Sequence, residues 1–378
     1  MVMMFSYHSY HPFYLGTQAS ATRDTLLACG ILKRMIQVSE HVSLAGYSTM
    51  RLGGETAYLT EIHSRNDLKE AVAWAHERNV PVMMIGGGSN IIWRDEGFSG
   101  LVMINRILGY DDYVETEENH FITIGGGEIW DTVVARSVAA GLTGIEALSL
   151  IPGTAGATPI QNVGAYGQEI AQTLTSVEAF DTTTGQLTNI PTEACGFSYR
   201  HSNFQTEYRG RFFITAITLH LIAGNPYPPY YGAVEQYLAE HPPTGPVTPR
   251  VIRDAVIDIR TSKLPDPAEV ANCGSFFGNP IIDGAKLFEL RGDYPTMPNY
   301  PVEGGGAKVP AAWLIEQVGY KAAHDGETGM ATWDKQPLVL VNEHARSTAD
   351  LLRFRDEIIA AVQNKFGITL HQEPELLP

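Results

Sequence analysis

A glycine run, Gly86-Gly87-Gly88-Ser89-Asn90, follows a stretch of apolar residues at 80–85. Glycine has no Cβ, so consecutive backbone N–H groups can approach an anion such as a phosphate closely. A plain structural turn at the end of a strand accounts for the same residues. The run alone leaves both interpretations open.

A small-residue loop, residues 151–167, contains almost no bulky polar side chain. Ordering so long a loop costs conformational entropy, which a ligand packed on it can offset. A flat conjugated ring beside a diphosphate would fit, because the small residues allow close approach and Thr158, Gln161 and Asn162 supply donors. The alternative is a tight packing loop between domains.

Other cofactor and metal motifs are absent from the sequence. Gly125-Gly126-Gly127 precedes a helical pattern, but the dinucleotide fingerprint G-x-G-x-x-G would need glycine where Trp130 stands. There is no G-x-x-x-x-G-K-[ST] phosphate loop. The twelve histidines include no H-x-x-x-H pair and the three cysteines no C-x-x-C pair, so we expect no metal.

Charge and composition narrow the partners. The formal net charge of -16 repels phosphate backbones, which argues against nucleic-acid binding, and an anionic ligand would need a local group of Lys and Arg. No segment approaches the ~18 apolar residues of a membrane helix, so we expect no membrane partner. Widely spaced cysteines and no convincing signal peptide favour the reducing cytoplasm.

The elements that must position these segments are read from hydrophobic periodicity. Period-2 or apolar runs predict strands at 58–62, 80–85, 91–93, 101–104, 121–124, 174–180, 187–190, 212–221 and 338–341. Apolar residues at i, i+3 and i+4 predict helices at 67–75 with Ser64 as its N-cap, and at 130–140, 233–239, 251–259, 311–318 and 348–366. The chain therefore reads as α+β, in two or three domains.

Further motifs follow the two glycine-rich segments in a fixed order. They are Phe197-Ser198-Tyr199-Arg200, Arg260-Thr261-Ser262-Lys263-Leu264-Pro265-Asp266-Pro267, Gly274-Ser275-Phe276-Phe277-Gly278-Asn279-Pro280 and Glu373-Pro374-Glu375. Together they resemble the UDP-N-acetylenolpyruvoylglucosamine reductase (MurB) family across residues 44–376. The segment before Met35 lies outside the resemblance, and we expect either an extension over residues 1–38 or a start at Met35.

The resemblance implies an α+β architecture. It predicts a two-subdomain FAD-binding fold of the vanillyl-alcohol-oxidase (PCMH) type followed by a C-terminal α+β substrate-binding domain. We expect FAD-binding subdomains at 39–105 and 106–263, the substrate-binding domain at 264–368, and a C-terminal segment, 369–378, that returns to the active site. We also expect a monomer.

The implied reaction is NADPH-dependent reduction of UDP-N-acetylglucosamine enolpyruvate to UDP-N-acetylmuramate via FAD, in peptidoglycan precursor synthesis. Neither loop carries His or Cys, so FAD should be non-covalent. A flavin oxidase of the same fold and a non-catalytic nucleotide-sugar binder are the alternatives. The predicted FAD-binding residues are Gly86, Gly87, Gly88, Ser89, Asn90, Pro152, Gly153, Thr158, Gln161, Asn162, Gly164, Ala165, Tyr166 and Tyr199.

The resemblance assigns catalysis to Arg200, Ser275 and Glu373. Ser275 would protonate the carbon beside the substrate carboxylate, although serine is a poor acid unless a neighbour polarises it. The Arg200 guanidinium can hold a carboxylate and stabilise an enolate as it forms. Glu373 would assist protonation. Without the resemblance, each would read as an ordinary turn or surface residue.

The resemblance also supplies substrate contacts. The predicted residues are Tyr231, Lys263, Asn279, Tyr300 and Lys308. Tyr230 is adjacent to Tyr231, so the tyrosine that covers the substrate is uncertain by one position. Gly278 stands where some relatives carry lysine, so one anion contact is missing or comes from elsewhere. Cys273 reads as a packed small residue.

Overall fold

The first sheet carries the glycine run at the end of one of its strands. The computed structural model describes residues 36–302 and 304–378. The strands of this part are β1 (Ser39–Ser43), β2 (Glu55–Ile62), β3 (Val82–Ile85), β4 (Ile91–Trp93) and β5 (Phe98–Asn105). The sheet order is β1-β2-β5-β3, with β2 and β3 both parallel to β5 and β1 antiparallel to β2. The glycine run follows β3 directly.

Helix α1 (Arg65–Glu77) connects β2 to β3, as a crossover between parallel strands requires. The Ser64 side chain accepts a hydrogen bond from the Asp67 N–H, which confirms the predicted N-cap; such a cap typically contributes about 1 kcal/mol. Leu68, Ala71 and Ala75 are buried on one helix face. The 3.6-residue periodicity in the sequence therefore marks the face that packs on the sheet.

The second sheet is antiparallel and follows the first in sequence. Its part of the chain contains β6 (Tyr110–Val114), β7 (Asn119–Gly125), α2 (Trp130–Ala139), β8 (Leu142–Thr143), β9 (Gly164–Ala165), β10 (Gln168–Glu169), β11 (Leu174–Asp181), β12 (Gln186–Pro191) and β13 (Phe212–Ala223). The order is β12-β11-β13-β7-β6, and β8 pairs with the C-terminal end of β13. Trp130 is fully buried at the start of α2 and donates its indole N–H to the Leu148 carbonyl.

Two helices follow this sheet, α3 (Gly232–Glu240) and α4 (Pro249–Lys263). Thr248 caps α4 through the Val251 N–H, and Pro249 occupies the first helical position, where its missing N–H costs nothing. The apolar face of α4 packs beside α3. Both predicted helices are confirmed, and α4 is longer than the predicted 251–259.

The C-terminal part contains a further sheet, a small three-stranded sheet and three helices. Its elements are β14 (Ala271–Ser275), β15 (Ile281–Ile282), α5 (Gly284–Asp293), β16 (Tyr300–Pro301), β17 (Ala307–Lys308), α6 (Ala311–Gln317), β18 (His324–Asp325), β19 (Met330–Trp333), β20 (Gln336–Asn342), α7 (Thr348–Phe366) and β21 (Glu375–Leu377). The sheet orders are β14-β20-β19-β18 and β15-β17-β16. Helix α7 has the predicted bounds, whereas α5 has no counterpart among the predicted helices.

The C-terminal strand returns to the first part of the chain. β21 pairs in parallel with β4, with Leu376 opposite Ile92. The largest buried cluster likewise joins Met50, Leu52 and Ile92 to aromatic residues of the C-terminal part. Residues 36–378 consequently form one compact unit, and the predicted domain boundaries within it remain predictions.

Two further expectations concern the chain as a whole. Among the described residues, no helix combines the length and the apolar character that a membrane crossing requires. Residues 1–35 lie outside the described part of the chain. They include Cys29, Met35 and most of the extension predicted over residues 1–38.

Candidate active site

A cavity of about 440 Å³ opens where the glycine run, the small-residue loop, β14 and the C-terminal segment meet. Most of the residues assigned to the site from sequence line it. They are Gly86, Gly87, Gly88, Ser89, Asn90, Pro152, Gly153, Thr158, Gln161, Gly164, Ala165, Tyr199, Arg200, Ser275, Asn279 and Glu373. The structure thus brings together motifs that lie almost 290 residues apart in the sequence.

The two glycine-rich segments pack backbone against backbone. A Cβ at Gly87 would lie 3.1 Å from the Gly153 Cα. Gly88 has a left-handed φ of 71°, and a Cβ there would overlap the Tyr47 carbonyl oxygen. Glycine is therefore required here by packing and conformation, independently of any ligand.

Within the small-residue loop, Asn162 and Tyr166 have left-handed φ angles of 46° and 48°. The buried Asn162 amide donates to Glu169 Oε2 and the Ser198 carbonyl, and accepts from the Ala171 N–H. Its hydrogen-bonding capacity is largely used inside the protein. Neither Asn162 nor Tyr166 lines the cavity, so both stabilise the shape of the loop.

A partly buried ion pair lies at the start of the small-residue loop. Arg253 on α4 donates through both Nη atoms to the Asp131 carboxylate on α2, at 2.7 and 2.9 Å, and also to Ser149 Oγ at 2.8 Å. Asp131 accepts in addition from the Leu150 N–H, and hydrogen bonds from Arg253 and Leu150 lower the pKa of this carboxyl against the effect of its burial. Leu150 is held with a φ of 55°.

Arg260, about two turns further along α4 than Arg253, is a site residue to which the sequence analysis assigned no role. Its Nη2 donates to the Leu150 carbonyl at 3.2 Å, and burial lowers its pKa. The buried Nε has no hydrogen-bond partner among the described residues, and Arg260 lines the cavity. The buried Thr154 Oγ1 is likewise without a partner in the described part of the chain. Such groups are satisfied when a polar ligand is bound.

Arg200 projects from a tight turn. Ser198 and His201 exchange two backbone hydrogen bonds of 3.1 Å, which leaves Tyr199 and Arg200 at the tip. Arg200 has a φ of 56°, a conformation that favours glycine or asparagine. Its Nη2 donates to the Gly164 carbonyl at 2.8 Å, so the arginine is anchored on the small-residue loop. A strained non-glycine residue of this kind is typical of a functional site.

Glu373 lies beside Arg200 in the cavity lining. Its Oε1 lies 3.5 Å from Arg200 Nε, and its side chain is only 17% exposed. Burial raises the pKa of the Glu373 carboxyl, and Arg200 opposes that rise. A Cβ at Gly278 would lie 3.5 Å from Glu373 Oε1, so the position where some relatives carry lysine borders this carboxylate.

Ser275 ends β14, opposite Val339 of β20, after a register shift and a left-handed Gly274. Phe276 and Phe277 are buried beyond it with their rings edge to face, which anchors the turn in the core. Cys273 is buried and free, as predicted for a packed residue, and burial raises the pKa of its thiol. The chain therefore presents the Ser275 hydroxyl from a rigid base.

The predicted substrate residues divide into two groups. Asn279 lines the cavity and accepts a hydrogen bond from the Ala311 N–H at 2.9 Å. Lys308 lies outside the lining, with its Nζ 4.8 Å from the Tyr199 ring centroid, and pairs with Tyr300 in the small sheet. Lys263, at the end of α4, is exposed.

Tyr231 immediately precedes α3 and is 52% exposed. Its ring packs edge-on against Tyr166, with 5.8 Å between the centroids. Tyr230 instead contributes to the packing between α3 and α4, and its hydroxyl donates to the Pro226 carbonyl. Of the two tyrosines, Tyr231 is the one that lies against the small-residue loop.

Comparison with known proteins gives two family matches. Residues 56–190 match an FAD binding domain, and residues 266–377 match the UDP-N-acetylenolpyruvoylglucosamine reductase C-terminal domain. UDP-N-acetylenolpyruvoylglucosamine reductases from Ralstonia nicotianae and Amoebophilus asiaticus are each 37% identical and align over 91% and 90% of this chain and 100% of their own length. The Pseudomonas aeruginosa protein of that name is 36% identical over 90% of this chain and 99% of its own.

A solved structure supports the same architecture. The MurB structure from Thermus caldophilus aligns with a TM-score of 0.62, over 91% of this chain and all of that one, at 23% identity. At that identity the likeness shows the fold. It confirms the predicted α+β architecture of an FAD-binding fold followed by a C-terminal α+β domain.

The FAD binding domain and the glycine-lined cavity define an FAD-dependent oxidoreductase. With relatives of this identity over nine-tenths of its length, the chain belongs to the UDP-N-acetylenolpyruvoylglucosamine reductase family. FAD is accordingly its cofactor and NADPH its reductant. The site fits FAD, because two buried polar atoms of cavity-lining residues, Arg260 Nε and Thr154 Oγ1, have no hydrogen-bond partner among the described residues and a polar ligand would satisfy them.

Proposed function

We propose that the protein uses NADPH to reduce the enolpyruvyl group of UDP-N-acetylglucosamine enolpyruvate, giving UDP-N-acetylmuramate for peptidoglycan synthesis. The observation that carries this proposal is the convergence of Arg200, Ser275 and Glu373 on one cavity with the glycine run. An oxidase would need an oxygen-accessible flavin but not these three groups. Their chemistry is that of carboxylate recognition and protonation.

FAD would be held by the glycine run and the small-residue loop. The backbone at residues 86–90 would contact the diphosphate, while Pro152, Gly153, Thr158, Gly164 and Ala165 would line the ring system. Neither segment contains His or Cys, in keeping with non-covalent attachment. Bound there, FAD would supply the hydride chemistry of the reaction, by which a hydride from NADPH reaches the terminal carbon of the enolpyruvyl double bond.

The protein's own groups complete the reduction. Hydride addition leaves negative charge on the carbon beside the substrate carboxylate, and Arg200 would stabilise it as it spreads onto the carboxylate oxygens. Ser275 would deliver a proton to that carbon, so hydride and proton together saturate the double bond. Glu373, whose pKa is raised by burial, would keep its own proton to higher pH than an exposed glutamate and so assist Ser275.

Substrate binding would draw on Asn279 and on residues outside the cavity lining. Asn279 lies in the cavity, and the cations Lys263 and Lys308 would contact the diphosphate of the nucleotide sugar or, in the other half-reaction, NADPH. Tyr300 would contact the uridine, and Tyr231 would cover the bound substrate. These cations give the local positive charge that a chain of net charge -16 otherwise lacks.

The test is a pair of anaerobic half-reactions followed by visible absorbance. NADPH should bleach the oxidised flavin, and the enolpyruvyl sugar should restore the colour rapidly, whereas air should restore it only slowly. Rapid reoxidation by air with no response to the sugar would contradict the proposal and establish an oxidase. A colourless protein that cannot be reconstituted with FAD would overturn the whole assignment.

A further inference from the structure

Two side-chain amides link the glycine run, the small-residue loop and the C-terminal segment. Asn90 Nδ2 donates to Gln161 Oε1 at 2.6 Å, and Gln161 Nε2 donates to the Glu373 carbonyl at 2.5 Å. The Asn90 carbonyl accepts in turn from the Glu375 N–H at 3.0 Å. We call Asn90 and Gln161 the amide bridge. Its hydrogen bonds hold the backbone at Glu373 and at Glu375, on either side of Pro374.

The orientation of both amides follows from hydrogen-bond chemistry alone. A backbone carbonyl only accepts, so the Gln161 atom that faces Glu373 must be the nitrogen. Gln161 therefore turns its oxygen toward Asn90, and the Asn90 atom that faces it must be the donor nitrogen. Flipping either amide would bring two acceptors or two donors together, so each amide fixes the other.

The amide bridge acts on the backbone of a residue whose other contacts also lie in the site. The Glu373 N–H donates at 2.9 Å to the carbonyl of Phe276, the residue that follows Ser275. The Glu373 side chain reaches Arg200, which is itself anchored on Gly164 of the small-residue loop. Glu373 is thus held between the Ser275 turn on one side and the small-residue loop on the other.

We propose that Gln161 is a positioning residue for Glu373, and that Asn90 sets the direction of its amide. This proposal rests on the proposed function. The amide bridge holds the Glu373 carboxyl at the distance from Arg200 and Ser275 that proton delivery needs. Hydride transfer from NADPH does not involve that proton, so the bridge serves the substrate half-reaction selectively. A displacement near 1 Å can cost a factor of about 10² in rate.

The first test compares Gln161→Leu with Gln161→Glu over about pH 5 to 8. Leucine removes both hydrogen bonds, so substrate reduction should slow by about 10- to 100-fold at every pH. A protonated glutamic acid has the shape and the donor of glutamine, whereas ionised glutamate cannot donate to the Glu373 carbonyl. The deficit of Gln161→Glu relative to wild type should therefore shrink as pH falls, while that of Gln161→Leu should not.

The second test leaves Gln161 in place. In Asn90→Asp the new carboxylate attracts Gln161 Nε2, which turns the glutamine oxygen toward the Glu373 carbonyl. This variant should slow substrate reduction as Gln161→Leu does, and the double variant should be no slower than either single one, because both changes remove the same contact. FAD content and the rate of flavin reduction by NADPH are measured in each variant, and the deficit in substrate reduction per bound FAD should exceed any deficit in flavin reduction.

Glu373→Gln, measured alongside, tests the proposed role of Glu373 separately from the role of the amide bridge. If this variant reduces substrate at the wild-type rate, the proposed role of Glu373 is wrong. If Glu373→Gln is slow while Gln161→Leu and Asn90→Asp match wild type, only the amide bridge proposal is overturned. Equal deficits of Gln161→Glu and Gln161→Leu at every pH would also overturn it, because the donor would then have no effect.

Discussion

The two sides of the cavity differ in how completely they are built before a ligand binds. On the cofactor side, the glycine run and the small-residue loop pack backbone to backbone, and Asn162, Asn90 and Gln161 are engaged in hydrogen bonds within the protein. Among the residues proposed to hold substrate, Lys263 is exposed and Tyr231 and Tyr300 are 52% and 55% exposed. Only Asn279 of the predicted substrate residues lines the cavity.

This difference separates the kinds of effect that mutations should have. A preorganised group lowers the barrier because its ordering has no further cost when the reaction occurs. An exposed long side chain must lose rotamer freedom on binding, and so contributes mainly to ground-state affinity. We therefore expect substitutions of the preorganised groups in the cavity, such as Arg200, to lower kcat. Substitutions of exposed side chains, such as Lys263, should raise KM.

The largest effect is expected for Ser275→Ala, which removes the proposed proton donor. The variant should retain FAD and its reduction by NADPH, while substrate reduction slows by about 10² or more. Stopped-flow absorbance of the two half-reactions measures both rates. Substrate reduction at the wild-type rate would remove Ser275 from the mechanism and weaken the contrast between the two sides.

Arg200 allows stability to be separated from activity. Both Arg200→Gly and Arg200→Ala should lower kcat by about 10²-fold, because each removes the cation that stabilises the developing charge. Since Arg200 has a φ of 56°, glycine relieves a strain that alanine retains. The glycine variant should therefore be more stable than the alanine variant by about 1 kcal/mol, measured as the free energy of unfolding. Equal stability would show that the turn carries no strain.

The rigidity of the cofactor side is tested by Gly88→Ala. The substitution adds a Cβ that would overlap the Tyr47 carbonyl, at a φ of 71°. Gly185 is the matched control, because it has a φ of 69° and open space where its Cβ would lie. Gly185→Ala should cost about 1 kcal/mol of unfolding free energy, and Gly88→Ala roughly 1–3 kcal/mol more, with loss of FAD. Equal costs would mean that the glycine run yields to the added carbon.

Lys263→Ala examines the substrate side. Lys263 is exposed at the end of α4, so its loss should weaken substrate in the ground state and the transition state alike. We expect KM to rise about tenfold with a smaller change in kcat, measured by steady-state kinetics. The opposite pattern would show that this lysine acts on the transition state and that the outer side is also preorganised.

Local sequence signals predicted the regular elements well. Helix α7 has the predicted bounds, and Ser64 caps α1 as predicted, because capping and periodicity are properties of neighbouring residues. Helix α5 was missed because it buries only Leu290 and leaves Phe288 84% exposed, so its apolar periodicity is weak. β4 was predicted, but its pairing with β21 joins segments too distant for any local pattern to indicate.

Prediction of the site from sequence has the same limit, because local patterns do not indicate contacts between distant segments. The motifs located the cavity, since glycines and small residues signal close backbone approach wherever it occurs. The Asp131–Arg253 pair joins residues that are 122 positions apart, and no spacing rule links them. Arg260 had a usable signal, namely its place one turn before Lys263 on the same helix. Only the fold reveals that its Nε is buried and has no hydrogen-bond partner within residues 36–302 and 304–378.

The smallest effect is expected at Tyr230 and Tyr231, of which the fold favours Tyr231 as the residue that covers the substrate. Tyr231 is half exposed and lies edge-on against Tyr166, whereas the Tyr230 hydroxyl is bound to the Pro226 carbonyl. Tyr231→Phe should therefore raise the substrate KM about fivefold, as loss of one hydrogen bond of about 1 kcal/mol predicts, with unchanged stability. Tyr230→Phe should leave KM unchanged and lower the free energy of unfolding by about 1 kcal/mol. The reverse pattern would assign the covering role to Tyr230, and would require the packing between α3 and α4 to open whenever substrate binds.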